Sequence, residues 1–167
     1  MKVMTGIYPK GDLNIIRFMH SDQCGISEEF ASRLCAWWDG DVRKHVGSPS
    51  YKLMIMSGQR DFLKQKALWD ADVKKNGGHP SGMVATPGLS WHNGRCAIDL
   101  DTSDPILKQY MTTGDYLQPI ANQRLKKYGL CLPLNMKTGG KIHEWWHIQP
   151  IESLNLTDPY KRMVWLD

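Results

Sequence analysis

Residues 90–99 read Ser90-Trp91-His92-Asn93-Gly94-Arg95-Cys96-Ala97-Ile98-Asp99. Cys96 to Leu100 has the short apolar character of a buried strand, with His92 just before it and Asp99 within it. Alternate residues of a strand share a face, so Ala97 and Asp99 point one way and Cys96 and Ile98 the other. A second run, Trp145 to Gln149, reads as the last strand, which would let His147 face Asp99 across a sheet. Glu144 precedes His147 by three residues, near enough to sit beside these groups. Two histidines and one aspartate suffice for a catalytic zinc site, which needs three protein ligands and an open position for water. A neighbouring carboxylate can then take a proton from that water, and a fixed cation can offset charge on a carbonyl oxygen. Ser57-Gly58-Gln59-Arg60, with Gln65 five residues on, supplies such a cation.

The rest of the chain frames these segments. Residues 1–26 are broken by Gly6, Pro9, Gly11 and Gly25 and read as irregular. Ser27 is an expected N-cap for a helix that buries Phe30, Leu34, Trp37 and Trp38 and stops at Gly40. Tyr51 to Met56 reads as a buried strand. Asp61 to Lys75 reads as a helix with Phe62, Leu68, Trp69 and Val73 toward the core, ended by Asn76-Gly77-Gly78. Residues 77–91 form a long loop, a common site for functional rims. Pro105 to Thr112 and Tyr116 to Tyr128 read as helices, with Gly129 as a cap. The tail after residue 149 shows no clear element. Strands and helices alternate without a βαβ rhythm. The fold class expected is α+β, one domain spanning residues 1–167, with a small, largely antiparallel central sheet and helices flanking it on one side.

The three chemistry-bearing segments resemble the D-alanyl-D-alanine carboxypeptidase and dipeptidase metallopeptidases (VanX- and VanY-like) and the related L-alanyl-D-glutamate endopeptidases of phage endolysins. The family patterns are SGxR-xxxx-Q, SxHxxGxAxD and ExWH. SGQR-DFLK-Q fits the first and EWWH the third. The second fits at Ser90, His92, Ala97 and Asp99, but Gly94 comes one place early and Arg95 stands where the glycine is expected. The resemblance covers roughly residues 51–149 and leaves 1–50 as an N-terminal extension. It implies that His92, Asp99 and His147 hold one Zn2+ ion and that Glu144 is the catalytic base, later the acid to the leaving amine. Arg60 is then the oxyanion or substrate clamp, and Ser57, Gln65 and Ser90 are substrate-binding or supporting polar groups. The implied fold is a small α+β domain of the D-Ala-D-Ala peptidase and hedgehog type.

Bacterial peptidoglycan is the substrate that resemblance implies. An endolysin-type endopeptidase cutting the stem peptide is the leading expectation. A D-alanyl-D-alanine carboxypeptidase or dipeptidase is the alternative. A zinc-holding wall-binding module without catalysis is a third reading, disfavoured by the presence of both Glu144 and Arg60.

Composition limits other partners. The formal charge is +4 with pI near 8.9, and the basic residues are scattered, so no nucleic-acid arm is expected. No apolar run approaches a membrane span and no secretory leader is visible, which suits accumulation in a host cytoplasm before action at the wall. The oligomeric state is left open.

Four cysteines without a CxxC pair argue against a cysteine zinc ribbon and are read as free thiols, with a Cys24–Cys35 bridge left open. Cys96 is read as packing. His20, His45, His79 and His143 lack a partner pattern and are read as surface or loop residues. Trp91, with Trp145 or Trp146, is expected to wall the site, and Asp101 and Asp104 to be loop or helix-cap carboxylates.

Overall fold

Apolar residues at helical spacing between Phe30 and Trp38 build the centre of the molecule. In the computed structural model, which describes residues 7–113, 123–134, 137–138, 141–142 and 144–155, they lie on helix α1 (Glu28–Trp37). Phe30, Leu34 and Trp37 are 0% exposed. Glu28 and Glu29 occupy the first turn, where the helix dipole favours negative charge. Ser27 has the extended backbone of an N-cap, but its side chain makes no capping bond. Its buried hydroxyl instead lies 3.9 Å from Cys96 Sγ.

The helix does not stop at Gly40. It continues through a π-helical turn, Trp38–Val42, into α2 (Arg43–Val46) and ends at Gly47, whose φ of 68° is the left-handed terminating conformation. Gly40 instead leaves room for the Tyr128 hydroxyl, which lies where a β-carbon would be.

The sheet has five strands: β1 (Ile16–Phe18), β2 (Leu53–Ser57), β3 (Ile98–Leu100), β4 (Leu130–Cys131) and, last in the chain, β7 (His147–Pro150). A separate hairpin pairs β5 (Lys137–Thr138) with β6 (Lys141–Ile142). The strand order is β1-β2-β3-β7-β4. The pairs β2–β3, β3–β7 and β7–β4 are antiparallel, while β1 joins β2 in parallel. The expectation of an irregular segment before residue 27 is therefore corrected at β1. That strand has three residues, too few for an alternation to be visible.

One hydrophobic cluster joins Ile15 and the α1 residues to Leu53, Ile55, Ile98, Leu100 and Ile148 of the sheet. Leu107 and Met111 of α4 (Pro105–Met111) and Leu125 of α5 (Gln123–Lys126) complete it. Full burial of a side chain of this size stabilises by about 1.5–3 kcal/mol, so α1 and the motif-bearing strands depend on one another. Arg33, also 0% exposed, is held by the Gly129 carbonyl at 2.9 Å, by Glu152 at 2.8 and 3.0 Å, and against the Tyr8 ring at 4.2 Å.

Helix α3 (Phe62–Lys75) forms as expected, capped by Asp61, whose carboxylate accepts the Lys64 N–H at 2.7 Å. It does not face the core. Phe62 and Leu68 are 55% and 41% exposed, Trp69 and Val73 are half-buried, and Gln65 is its one buried residue. Gln65 and Leu68 instead line the cleft that also holds His92, Asp99 and His147. Of the helix expected over 116–128, residues 116–122 lie outside the described residues, as do His143 and Trp165. Gly129 follows α5 with φ 71°. No helix among the described residues is long and apolar enough to cross a membrane.

Candidate active site

Sheet register assembles the site. Asp99 on β3 pairs directly with His147 on β7, and Ile98 with Ile148. Paired residues share a face, so Asp99 and His147 point away from the α1 core together. On the other side of β3, Ile55 pairs with Leu100 and Ser57 with Asp99. Regular pairing would set Ser57 opposite Ile98, so one extra residue on β2, a β-bulge, brings it beside Asp99.

His92 reaches the same point from the turn before β3. Its backbone N–H lies 3.3 Å from Ser90 Oγ, its carbonyl accepts the Arg60 N–H at 3.2 Å, and its Nδ1 is 2.7 Å from the Gly58 carbonyl. The donor atoms of His92, Asp99 and His147 all lie within 4.8 Å of one another. His92 Nε2 is 3.3 Å from Asp99 Oδ2, and His147 Nδ1 is 2.9 Å from Asp99 Oδ1. Both histidines are almost fully buried, and the Asp99 side chain is 17% exposed. Burial raises the pKa of Asp99, but hydrogen bonds from His147 and His92 outweigh it and hold the carboxyl well below the usual range. Two imidazole nitrogens and one carboxylate oxygen at this spacing fit a zinc ion.

Arg60 lies beside this group. Its Nη2 is 3.4 Å from Asp99 Oδ2 and donates to Ser57 Oγ at 3.0 Å, while Nη1 donates to Gln65 Oε1 at 3.0 Å. Burial lowers its pKa against the opposing pull of Asp99 and Glu144, yet a guanidinium stays charged. Glu144 is half-buried on the turn before β7, closed by the His147 N–H to the Glu144 carbonyl at 3.3 Å. Burial pushes its carboxyl pKa up. Asp99 adds to that, and His147 and Arg60 oppose it.

An open cleft of about 520 Å³ runs over these residues. One wall comes from α3 and the 77–91 loop, including Gln65, Leu68, Met83 and Leu89, and another from Pro133, Leu134 and Leu154. Ser90, Trp91 and Trp146 also line it. Trp145 does not; it belongs to the core cluster.

Of the expected substrate-binding groups, Gln65 and Ser90 reach the cleft. Ser57 is not among the lining residues. It sits behind Arg60, donating to Gln23 Oε1 at 2.7 Å. The four thiols are free, Cys24 exposed and the others buried. Burial raises the Cys131 thiol to about 12. Asp104 caps α4 through the Ile106 and Leu107 amides at 2.9 and 3.0 Å.

Three site residues carry no motif. Gln23 buttresses Ser57, Asn93 donates to the Arg60 carbonyl at 2.5 Å, and Gln149 lies 2.8 Å from His147. Strand alternation alone places Gln149 on the face of His147, so this one was findable. Nothing local marks Gln23, which is 34 residues from its partner.

The sheet and the turn before β3 together set a His–Asp–His group that fits a metal ion on an α+β frame. The model of the VanY family, described as D-alanyl-D-alanine carboxypeptidase, matches residues 41–151, and the chain belongs to that family and is an enzyme. No curated protein sequence matches the chain. Among solved structures, the LdcB LD-carboxypeptidase, described as revealing the basis of peptidoglycan recognition, is 19% identical with a TM-score of 0.53, over 91% of this chain and 76% of that one. VanYB in complex with D-alanine-D-alanine is 19% identical with a TM-score of 0.48, over 81% and 77%. A vancomycin-resistance D,D-pentapeptidase VanY variant in complex with Zn(II) is 19% identical with a TM-score of 0.45, over 85% and 84%. At this identity the first of these speaks to the fold.

Proposed function

We propose that this protein is a zinc-dependent peptidase that hydrolyses an amide bond in the peptide part of bacterial cell wall. The observation that carries it is the convergence of His92, Asp99 and His147 within 4.8 Å, with Glu144 and Arg60 beside them in one cleft. When bound there, zinc acts as a Lewis acid and brings the pKa of water to about 7. Glu144 takes the proton of the attacking water as the new C–O bond forms. It gives that proton to the amine nitrogen as the C–N bond breaks. Arg60, oriented by Ser57 and Gln65, offsets negative charge on the carbonyl oxygen.

Family membership puts removal of a terminal D-alanine first among the bonds to test. The second reading is endopeptidase cleavage within the stem. It is favoured by the cleft, whose lining comes from residues following β2 and from residues following β4, on both sides of the donors in the sheet. Mass spectrometry of wall peptides separates the two: loss of one alanine, or a split inside the stem. Glu144→Ala should lower kcat by about 10²–10⁴-fold with zinc retained. Equal rates in variant and wild type would remove Glu144 from the mechanism. Inactivity of both toward every wall peptide, with zinc bound, would favour a binding module.

A further inference from the structure

We infer that Gln149 is a positioning residue that fixes the ring orientation and tautomer of His147, an inference that rests on the reading of His147 as a metal ligand. Gln149 is two residues after His147 on β7, on the same face of the strand, and is 6% exposed. Its side-chain amide lies 2.8 Å from His147 Nε2. The other ring nitrogen, Nδ1, points at Asp99 Oδ1, into the space where the three donors converge. The two histidines therefore offer different nitrogens. His92 offers Nε2 with Nδ1 tied to the Gly58 carbonyl, and His147 offers Nδ1.

A nitrogen that ligates must carry a lone pair, so the ring proton of His147 is then on Nε2 and needs an acceptor. If the metal-free ring is neutral with its proton on Nδ1, facing Asp99, Nε2 is the acceptor. A primary amide serves both states. Its NH2 donates to Nε2 in the metal-free protein, and a half-turn about its last torsion presents its oxygen to Nε2–H in the loaded one. An apolar residue serves neither, and a carboxylate serves the loaded state.

The test is zinc affinity by competition with a chromophoric chelator, with apo-protein melting as a control for folding. Gln149→Leu should weaken zinc binding about 10–100-fold, and Gln149→Glu should bind at least as tightly as wild type. Wild-type affinity in the Leu variant, or equal weakening in both, would overturn the inference. ¹⁵N NMR of the zinc-loaded wild type gives a second reading that needs no variant: His147 should show a protonated Nε2, and a protonated Nδ1 would overturn it. Failure of the wild type itself to bind zinc would instead sink the metal-site reading.

Discussion

Glu144 shows what a residue's surroundings do to its chemistry. Burial pushes its carboxyl above the ordinary glutamate range of about 4.3. A general base works when ionised, so activity must rise as pH climbs through its pKa, which the charge of a bound zinc ion also helps to set. With zinc saturating, kcat/KM should show an acid limb in the wild type that Glu144→Ala removes. The same acid limb in the variant would mean that another group limits the rate. The convergence of His92, Asp99 and His147 was legible at this scale, because residue type and strand alternation place them together. That Ser57 stands behind Arg60 was not, because a β-bulge on β2 sets its position and no residue type announces it.

At the scale of elements, the turn from Ser90 to Arg95 explains the chain's departure from its family's pattern. Where the pattern has glycine, Arg95 takes φ 60°, the left-handed conformation that costs a residue with a β-carbon about 1–2 kcal/mol. Its Nε is also buried without a partner. The turn thus keeps its geometry against the preference of its residue, held by the Arg95 N–H on the His92 carbonyl at 3.3 Å and by the Ser27 N–H on the Arg95 carbonyl at 2.9 Å. Arg95→Gly should raise stability by about 0.5–1 kcal/mol, after allowing for the greater freedom of glycine in the unfolded chain, measured by denaturant melting. A loss of stability would show that the arginine side chain contributes more than the strain costs.

Helix α3 teaches the converse. Its apolar residues suggested a core face, yet Gln65 is its buried residue, Phe62 is exposed, and Leu68 lines the cleft. Spacing located the helix correctly. It could not say which face meets the sheet, since a cleft edge and a core edge both attract apolar side chains.

In the whole molecule, the segment before α1 serves the site as well as the core. The Gly58 and Gln59 amides donate to the Gln23 and Gly25 carbonyls at 2.9 and 2.8 Å. A β-carbon on Gly58 would meet Gln23 and Phe18 at 2.9 Å, which is why that motif position is glycine. These contacts are remote in sequence and left no local trace in it. Arg33 is another such link, tying α1 to the segment after β7 through Glu152. Arg33→Ala leaves a mostly buried carboxylate unpaired and should cost about 3–5 kcal/mol, read from thermal melting. A change under about 1 kcal/mol would mean the pair is solvated in solution. The account as a whole depends on one point in this structure, where β3, β7 and the turn before β3 converge. Elemental analysis after dialysis tests it most directly. The wild type should hold one zinc per chain and Asp99→Ala almost none, and a folded Asp99→Ala protein with undiminished zinc would contradict the account.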